Sequence, residues 1–262
     1  MPKVRLDQKL TQLGLVQSRS QAESFIKLGE VKVNGKVQTK PGFSVSETDK
    51  VELTAKEQYV SRAALKLSSV AKVLKLDFAG KTVLDVGSST GGFTDYALQH
   101  GAAKVIAVEV GTDQLHPSLR GNPQIELHER TDIRNVRLVI PSVAEESIKT
   151  DLSTPFEMTH IHDIPDLVVA DVSFISLREI LPHVASLSSK QTQIVAMVKP
   201  QFEAGQSSLK HKGVIKNDKM RREILKDFEA WAHQKFLILD KADSQVAGEK
   251  GNLERFYLLR KA

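Results

Sequence analysis

The sequence contains no cysteine, which excludes a disulfide framework and any thiolate metal site and fits a reducing compartment. Aromatic residues make up only 5% of its 262 positions, so the stacked-base platforms of single-strand nucleic-acid binders are not evident. Long apolar runs are missing as well. A membrane span needs about 18 or more consecutive apolar residues, and runs such as Ile194 to Val198 are strand-sized. The opening Met-Pro-Lys-Val-Arg-Leu-Asp has no apolar stretch behind its charges, so secretion is not expected and a cytoplasmic location is. The eight histidines form no ligand pattern; no metal is expected, and His160-Ile-His162 reads as a solvated loop pair. What remains is ordinary for a globular protein, 40% hydrophobic and 26% charged, and the length suits two unequal domains.

Charge is unevenly spread. Residues 1–60 hold ten Lys and Arg against seven acids, a surplus of +3 within a chain total of +5, which suggests a polyanionic partner. Leu6, Leu10 and Leu13 repeat at helical spacing until Gly14, and Ser18 caps a second helix that ends at Gly29. Val31-Lys-Val-Asn34-Gly35-Lys-Val signals a hairpin, because Asn-Gly suits a tight primed turn. A strand near Lys50 to Leu53 closes this first domain, residues 1–57. Within the second, residues 58–262, strands are expected at 81–86, 104–110, 167–171, 193–198, 236–241 and 255–260. Helices are expected at 61–74, 93–100, 177–187 and 218–234. That alternation predicts an α/β fold, a parallel-type sheet with helices on both faces. Residues 137–165, with weak periodicity, read as a loop-rich insertion, and Gln206 to Gly213 as a flexible basic loop able to close over a ligand.

The turn Asp85-Val-Gly87-Ser88-Ser-Thr-Gly91-Gly92-Phe93 stands at a strand-to-helix junction. Glycine there allows a sharp turn and close approach of a ligand, and the helix behind it offers free amides. It fits neither the dinucleotide nor the phosphate-loop spacing. Glu109 ends the next strand, placed to accept from two ribose hydroxyls. Together these residues resemble the S-adenosylmethionine site of Rossmann-like methyltransferases. Asp132 then stands where that class contacts adenine, the plain alternative being a surface acid.

Four charged residues stand in motifs of their own: Lys66 in Ser61-Arg-Ala-Ala-Leu-Lys66, Asp171 in Asp171-Val-Ser-Phe-Ile-Ser, Lys199 in Lys199-Pro-Gln-Phe-Glu203, and Glu254 in Gly251-Asn-Leu-Glu254. Ligands of open α/β sheets bind at the carboxyl ends of strands, so Asp171 and Lys199 should face the cofactor crevice. One such residue alone is ordinarily the strand meeting water. The set, in this order, resembles the ribose 2′-O-methyltransferases of the FtsJ type and, within them, the TlyA family, described as haemolysin A or ribosomal RNA methyltransferase. Arg-Leu-Asp-Gln-Lys-Leu, Ser-Arg-Ser-Gln-Ala and Gly-Glu-Val-Lys-Val-Asn-Gly in the first domain resemble an S4 RNA-binding domain of α+β type.

The resemblance implies an S-adenosylmethionine-dependent enzyme that methylates a ribose 2′-hydroxyl, a cytidine's, in ribosomal RNA or ribosomal subunits. A ribose hydroxyl is a weak nucleophile while a methylsulfonium is already activated, so the enzyme must align the reacting atoms and ease proton loss. Lys199 is assigned to the hydroxyl, as a neutral base or as a cation facing the developing alkoxide. Asp171 orients Lys199, and Lys66 and Glu254 hold the ribose and the geometry of the set. Asp85, Gly87, Ser88, Gly91, Gly92, Phe93, Glu109 and Asp132 are assigned to the cofactor. Arg5, Lys9, Arg19, Lys27 and Lys32 are candidates for RNA phosphate contacts, which position an RNA without reading its sequence. Three competing readings stay open: a non-catalytic ribosome-assembly factor, a haemolysin-like membrane-active protein, and a small-molecule methyltransferase.

Overall fold

The computed structural model describes residues 3–16, 18–55, 59–139, 158–204, 214–215, 217–248 and 251–262. The expected domain boundary at 57/58, residues 140–157 of the expected insertion, and all of the basic loop from Gln206 to Gly213 lie outside the described residues.

In the first unit β1 (Val4–Arg5) precedes α1 (Leu6–Gln12) and α2 (Arg19–Lys27). The Ser18 hydroxyl accepts the amide of Gln21, which satisfies one free donor at the start of α2. The hairpin follows as β2 (Val31–Val33) and β3 (Lys36–Val37), with Val33 opposite Lys36. Asn34 and Gly35 between them have φ of 50° and 78°, the conformation of a type I′ turn. The expected last strand is β5 (Val51–Leu53), antiparallel to β2. β4 (Ser44–Val45), paired with β1, was not expected; two-residue strands are too short to show alternation. Leu6, Leu10, Ala22, Ile26 and Val31 are fully buried, whereas Leu13, part of the expected apolar stripe, is half exposed beyond the end of α1.

The second unit runs α3 (Arg62–Ala71), β6 (Thr82–Val86), α4 (Gly92–Gln99), β7 (Lys104–Val108), β8 (Ile125–His128), β9 (Val136–Leu138), β10 (Thr159–Ile161), β11 (Leu167–Ala170), α5 (Leu177–Ser186), β12 (Gln193–Val198), α6 (Pro200–Glu203), α7 (Asp218–Ala232), β13 (Phe236–Asp243) and β14 (Arg255–Lys261). Its seven-stranded sheet has the order β13-β14-β12-β11-β6-β7-β8. Strands from β12 to β8 are parallel, but β14 runs antiparallel to both neighbours. The sheet is mostly parallel, as expected, with β14 the exception: β13 returns directly into it without a crossover helix, and a direct return pairs antiparallel.

Alternate residues of each central strand serve opposite cores. Val83, Val105, Val169 and Val195 pack with α3 and α4, while Leu84, Ile106, Val168 and Ile194 pack with α5 and α7. Burial on both faces is why these strands read as continuous apolar runs. The segment expected as a loop-rich insertion begins and ends in strands: β9 and β10 pair in parallel, Val136 opposite Thr159. His160, expected in a loop, is an exposed strand residue. No helix among the described residues is long and apolar enough to cross a membrane.

Candidate active site and cofactor cleft

The strand order reverses direction between β6 and β11, the place where a crevice opens at the carboxyl ends of such a sheet. Gly87 follows β6 with φ of +81°, and a Cβ there would lie 2.9 Å from the carbonyl oxygen of Asp171. Any side chain would push the two strand ends apart. Gly91 caps α4 in the left-handed region. At Gly92 a Cβ would run into the Ser61 hydroxyl and come within 2.9 Å of the Ala63 side chain. Its absence lets the start of α3 rest on α4, and this brings Lys66 to the site. Phe93 turns into the core, its ring 6.1 Å from that of Phe256.

A cleft of about 400 Å³ lies along these strand ends, walled by Gly87, Ser89, Glu109, Asp132, Asp171 and Ile180. A recess of about 130 Å³ shares Gly87 and Asp171 with it and adds Asp85, Ser88 and Lys199. Glu109, nearly buried, is held in place by the amides of Ser89 (2.8 Å) and Gly111 (2.7 Å). The Asp132 carboxylate lines the far wall and is gripped by the Arg134 guanidinium at 3.0 and 2.6 Å, which holds its carboxyl below the usual range.

Asp85 is fully buried. One carboxyl oxygen accepts the Thr94 hydroxyl at 2.7 Å, and the other has no partner. Burial pushes this carboxyl up to about 7; the Thr94 hydrogen bond pulls the other way, and the negative charges of Asp171 and Glu109 add to the rise. The Ser88 hydroxyl is likewise buried and unpartnered. Two orphaned polar groups in a recess rich in carboxylates suit a ligand that brings a positive charge and hydrogen-bond donors.

The four motif residues meet beside this recess as two ion pairs. Lys199 Nζ lies 2.5 Å from Asp171 Oδ1, and Lys66 Nζ lies 2.7 Å from Glu254 Oε2. Burial pushes the Glu254 carboxyl up, against the pull of Lys66; Asp171 adds to the rise and Lys199 opposes it, so both pairs share one field. Lys199 also donates to the Ser173 hydroxyl at 2.9 Å. An ammonium has three N–H donors, and these two contacts leave one for a ligand.

Thr94, Ser173, Phe174 and Glu203 carry contacts that the sequence did not assign to them. Phe174 is 92% exposed at the rim of the cleft with φ of 65°, unusual for a bulky side chain. Its ring lies 5.3 Å from that of Phe202, itself 5.9 Å from Lys199 Nζ. Ser173, Phe174 and Glu203 belong to motifs already singled out, but nothing local in a sequence shows which members of a motif point outward.

The expected RNA-contacting residues lie apart from this site, on the first unit. Arg5 and Arg19 converge on Asp7, which is wholly buried: Arg5 Nη2 at 2.8 Å and Arg19 Nε at 2.9 Å. Burial alone would push the Asp7 carboxyl up, but the two guanidinium groups hold it below its usual value. Lys27 is exposed at the end of α2, while Lys9 and Lys32 are half-buried.

Two family models match the chain: an FtsJ-like methyltransferase model over residues 59–261 and an S4 domain model over residues 4–51. The chain is 35% identical over 261 residues to the 16S/23S rRNA (cytidine-2′-O)-methyltransferase TlyA of Mycobacterium tuberculosis (strain ATCC 25618 / H37Rv), covering 98% of this chain and 90% of that protein. It is 33% identical over 252 residues to Hemolysin A of Brachyspira hyodysenteriae, with 96% and 97% covered. A solved structure from Streptococcus thermophilus, named as a hemolysin, shares 34% identity and a TM-score of 0.65, with 100% of this chain and 90% of that chain covered.

Proposed function

The chain belongs to the FtsJ-like methyltransferase family, and from that premise we propose that it transfers a methyl group from S-adenosylmethionine to a ribose 2′-hydroxyl of ribosomal RNA, with cytidine as the nucleotide. The observation that carries this reading is the pair of salt bridges, Lys199–Asp171 and Lys66–Glu254, set against a carboxylate-lined cleft with unpartnered buried acceptors.

S-adenosylmethionine supplies an electrophilic methyl group and carries positive charge. Asp85 and Ser88 offer the unpartnered atoms that suit its amino-acid end, and Glu109 the acceptors that suit its ribose. Asp132, already gripped by Arg134, bounds the adenine end. Lys199 presents its remaining N–H to the acceptor oxygen, holds that oxygen in line, and stabilises negative charge on it as the hydroxyl proton passes to solvent water; the bond from this oxygen to the methyl carbon forms as the carbon–sulfur bond breaks, and the sulfur leaves as a neutral thioether. Asp171 fixes the lysine, and Lys66 and Glu254 form the second wall of the acceptor site.

The test is transfer of labelled methyl to ribosomal subunits that lack the modification, followed by nucleoside analysis. Label on the 2′-oxygen of cytidine is expected. Tight cofactor binding without transfer to either subunit would instead favour an assembly factor.

The first unit docks the RNA in this reading, with Arg5 and Arg19 as phosphate contacts. Arg19→Ala leaves Asp7 paired with Arg5, so the domain keeps its fold. Its affinity for ribosomal RNA is expected to fall about three- to tenfold, and the slope of log affinity against log salt to shrink by about 1. Filter binding at two or more salt concentrations measures both. An unchanged slope would make Arg19 a strut for Asp7 and nothing more.

A further inference from the structure

We propose that Glu203 is the positioning residue that holds Lys199 against Asp171, by clamping the loop after β11 to the segment after β12; the inference rests on Lys199 and Asp171 being the methyl-transfer centre. The two strands pair in register to Ala170 opposite Ala196. Beyond their ends no backbone hydrogen bond joins residues 171–176 to residues 199–204 among the described residues. The two segments are held together by side chains.

Lys199 itself reaches Asp171 and Ser173, Phe202 meets Phe174, and Glu203 adds a separate brace at the far end of the loop. Its side chain is 1% exposed. Oε1 accepts the amide of Leu177 at 2.8 Å, Oε2 accepts the Ser176 hydroxyl at 2.6 Å, and Arg178 Nε stands 3.3 Å from Oε2. Of these, the Leu177 amide is a free backbone donor of the α5 start, and the other two are side chains of its cap and first turn. A carboxylate from the neighbouring segment thus braces the start of α5 beside its own cap, the Ser176 hydroxyl, which accepts the amide of Arg178 at 3.2 Å. Lys199 is the N-cap residue of α6, and the carbonyl of Lys199 accepts the amides of Phe202 and Glu203. The backbone of Lys199 is therefore tied, through four residues, to the residue that grips the opposite loop. Burial pushes the Glu203 carboxyl up in spite of all these bonds, so it sits there at a cost in solvation. The uncharged Ser176 hydroxyl already caps α5, so the helix alone does not require the carboxylate.

A clamp of this kind acts on the alignment of Lys199 and not on ligand affinity. Misplacing a catalytic group by a fraction of an ångström to an ångström costs about ten- to a hundredfold in rate. Glu203→Gln keeps the length and one acceptor but loses the charge. Single-turnover transfer to unmodified ribosomal subunits is expected to slow about tenfold or more, with dissociation constants for S-adenosylmethionine and for the subunits within twofold of wild type. A rate within twofold of wild type overturns the inference, and so does a parallel loss of affinity for either ligand. If Glu203→Gln does not fold, Ser176→Ala decides, since it removes one bond of the clamp together with the cap bond from the Arg178 amide; a fall in rate with both affinities kept supports the clamp, and no change or a parallel loss of affinity overturns it. Lys199→Ala is run beside both. An active Lys199→Ala protein would sink the assignment of the centre itself, whereas an inactive one with a normal Glu203→Gln rate would sink only the clamp.

Discussion

At pH 8 the ligand-free Asp85→Asn protein is expected to unfold at a higher temperature than wild type, while losing S-adenosylmethionine affinity by about a hundredfold or more. The two halves of the result have one cause. Asp85 is wholly buried, and its carboxyl is pushed up to about 7 from an ordinary 3.8. A carboxyl raised in the folded state contributes stability that is complete below pH 4 and is lost as pH climbs to about 7. Above that pH the folded protein holds a desolvated negative charge with two further carboxylates nearby. The difference between the two values corresponds to roughly 4 kcal/mol at most. Asparagine removes that charge but leaves an amide with imperfect partners, so a net gain of about 2 kcal/mol is expected, or about 4–8 °C for a chain of this size. The gain should shrink as pH falls from 8 to 5, because the native Asp85 becomes neutral over that range.

The same charge is what a cationic ligand needs. Wild-type affinity for S-adenosylmethionine should therefore weaken as pH drops below about 7, and Asp85→Asn should show weak binding at every pH. Calorimetric titration at pH 6 and 8, with thermal unfolding of both proteins, separates the outcomes. A destabilised Asp85→Asn protein at pH 8 would mean that Asp85 serves the fold, and binding unchanged by pH would remove it from the cofactor site.

What the sequence revealed of this fold follows from how local each signal is. Asn34-Gly35 and Ser18 declare themselves within two or three residues, and both stand where expected, in a primed turn and as a helix cap. The central strands were legible because burial on both faces leaves unbroken apolar runs such as Val83 to Val86. β8, at the sheet edge and only partly buried, has no such run, and β9 and β10 are too short for any period. The charged residues of the site were named by their motifs, but not their pairing. Lys66 reaches Glu254 and Glu203 reaches Ser176 across long stretches of chain, and no periodicity encodes such contacts. Arg5 and Arg19 show the same limit: as sequence they are two surface cations, and in the fold they share one buried acid.

Methyl transfer by Lys199→Ala is expected to fall by about a thousandfold, with S-adenosylmethionine bound as well as by wild type or more tightly. The asymmetry comes from the charge arrangement. Lys199 and Asp171 are both largely buried and face each other at 2.5 Å. Removing the lysine deletes the donor that meets the acceptor oxygen, hence the loss of rate. It also strips Asp171 of its partner beside a recess that already holds Asp85, which makes the cavity more negative and improves its attraction for a positively charged cofactor. An unpaired buried carboxylate destabilises a fold, so the ligand-free mutant should melt lower than wild type and recover more than wild type when cofactor is added. Quench-flow transfer assays and cofactor titration by thermal shift give the two numbers. A rate loss matched by an equal loss of cofactor affinity would move Lys199 from the acceptor side of the reaction to the cofactor side. A normal rate would leave the hydroxyl in the care of Lys66, the other lysine of the set.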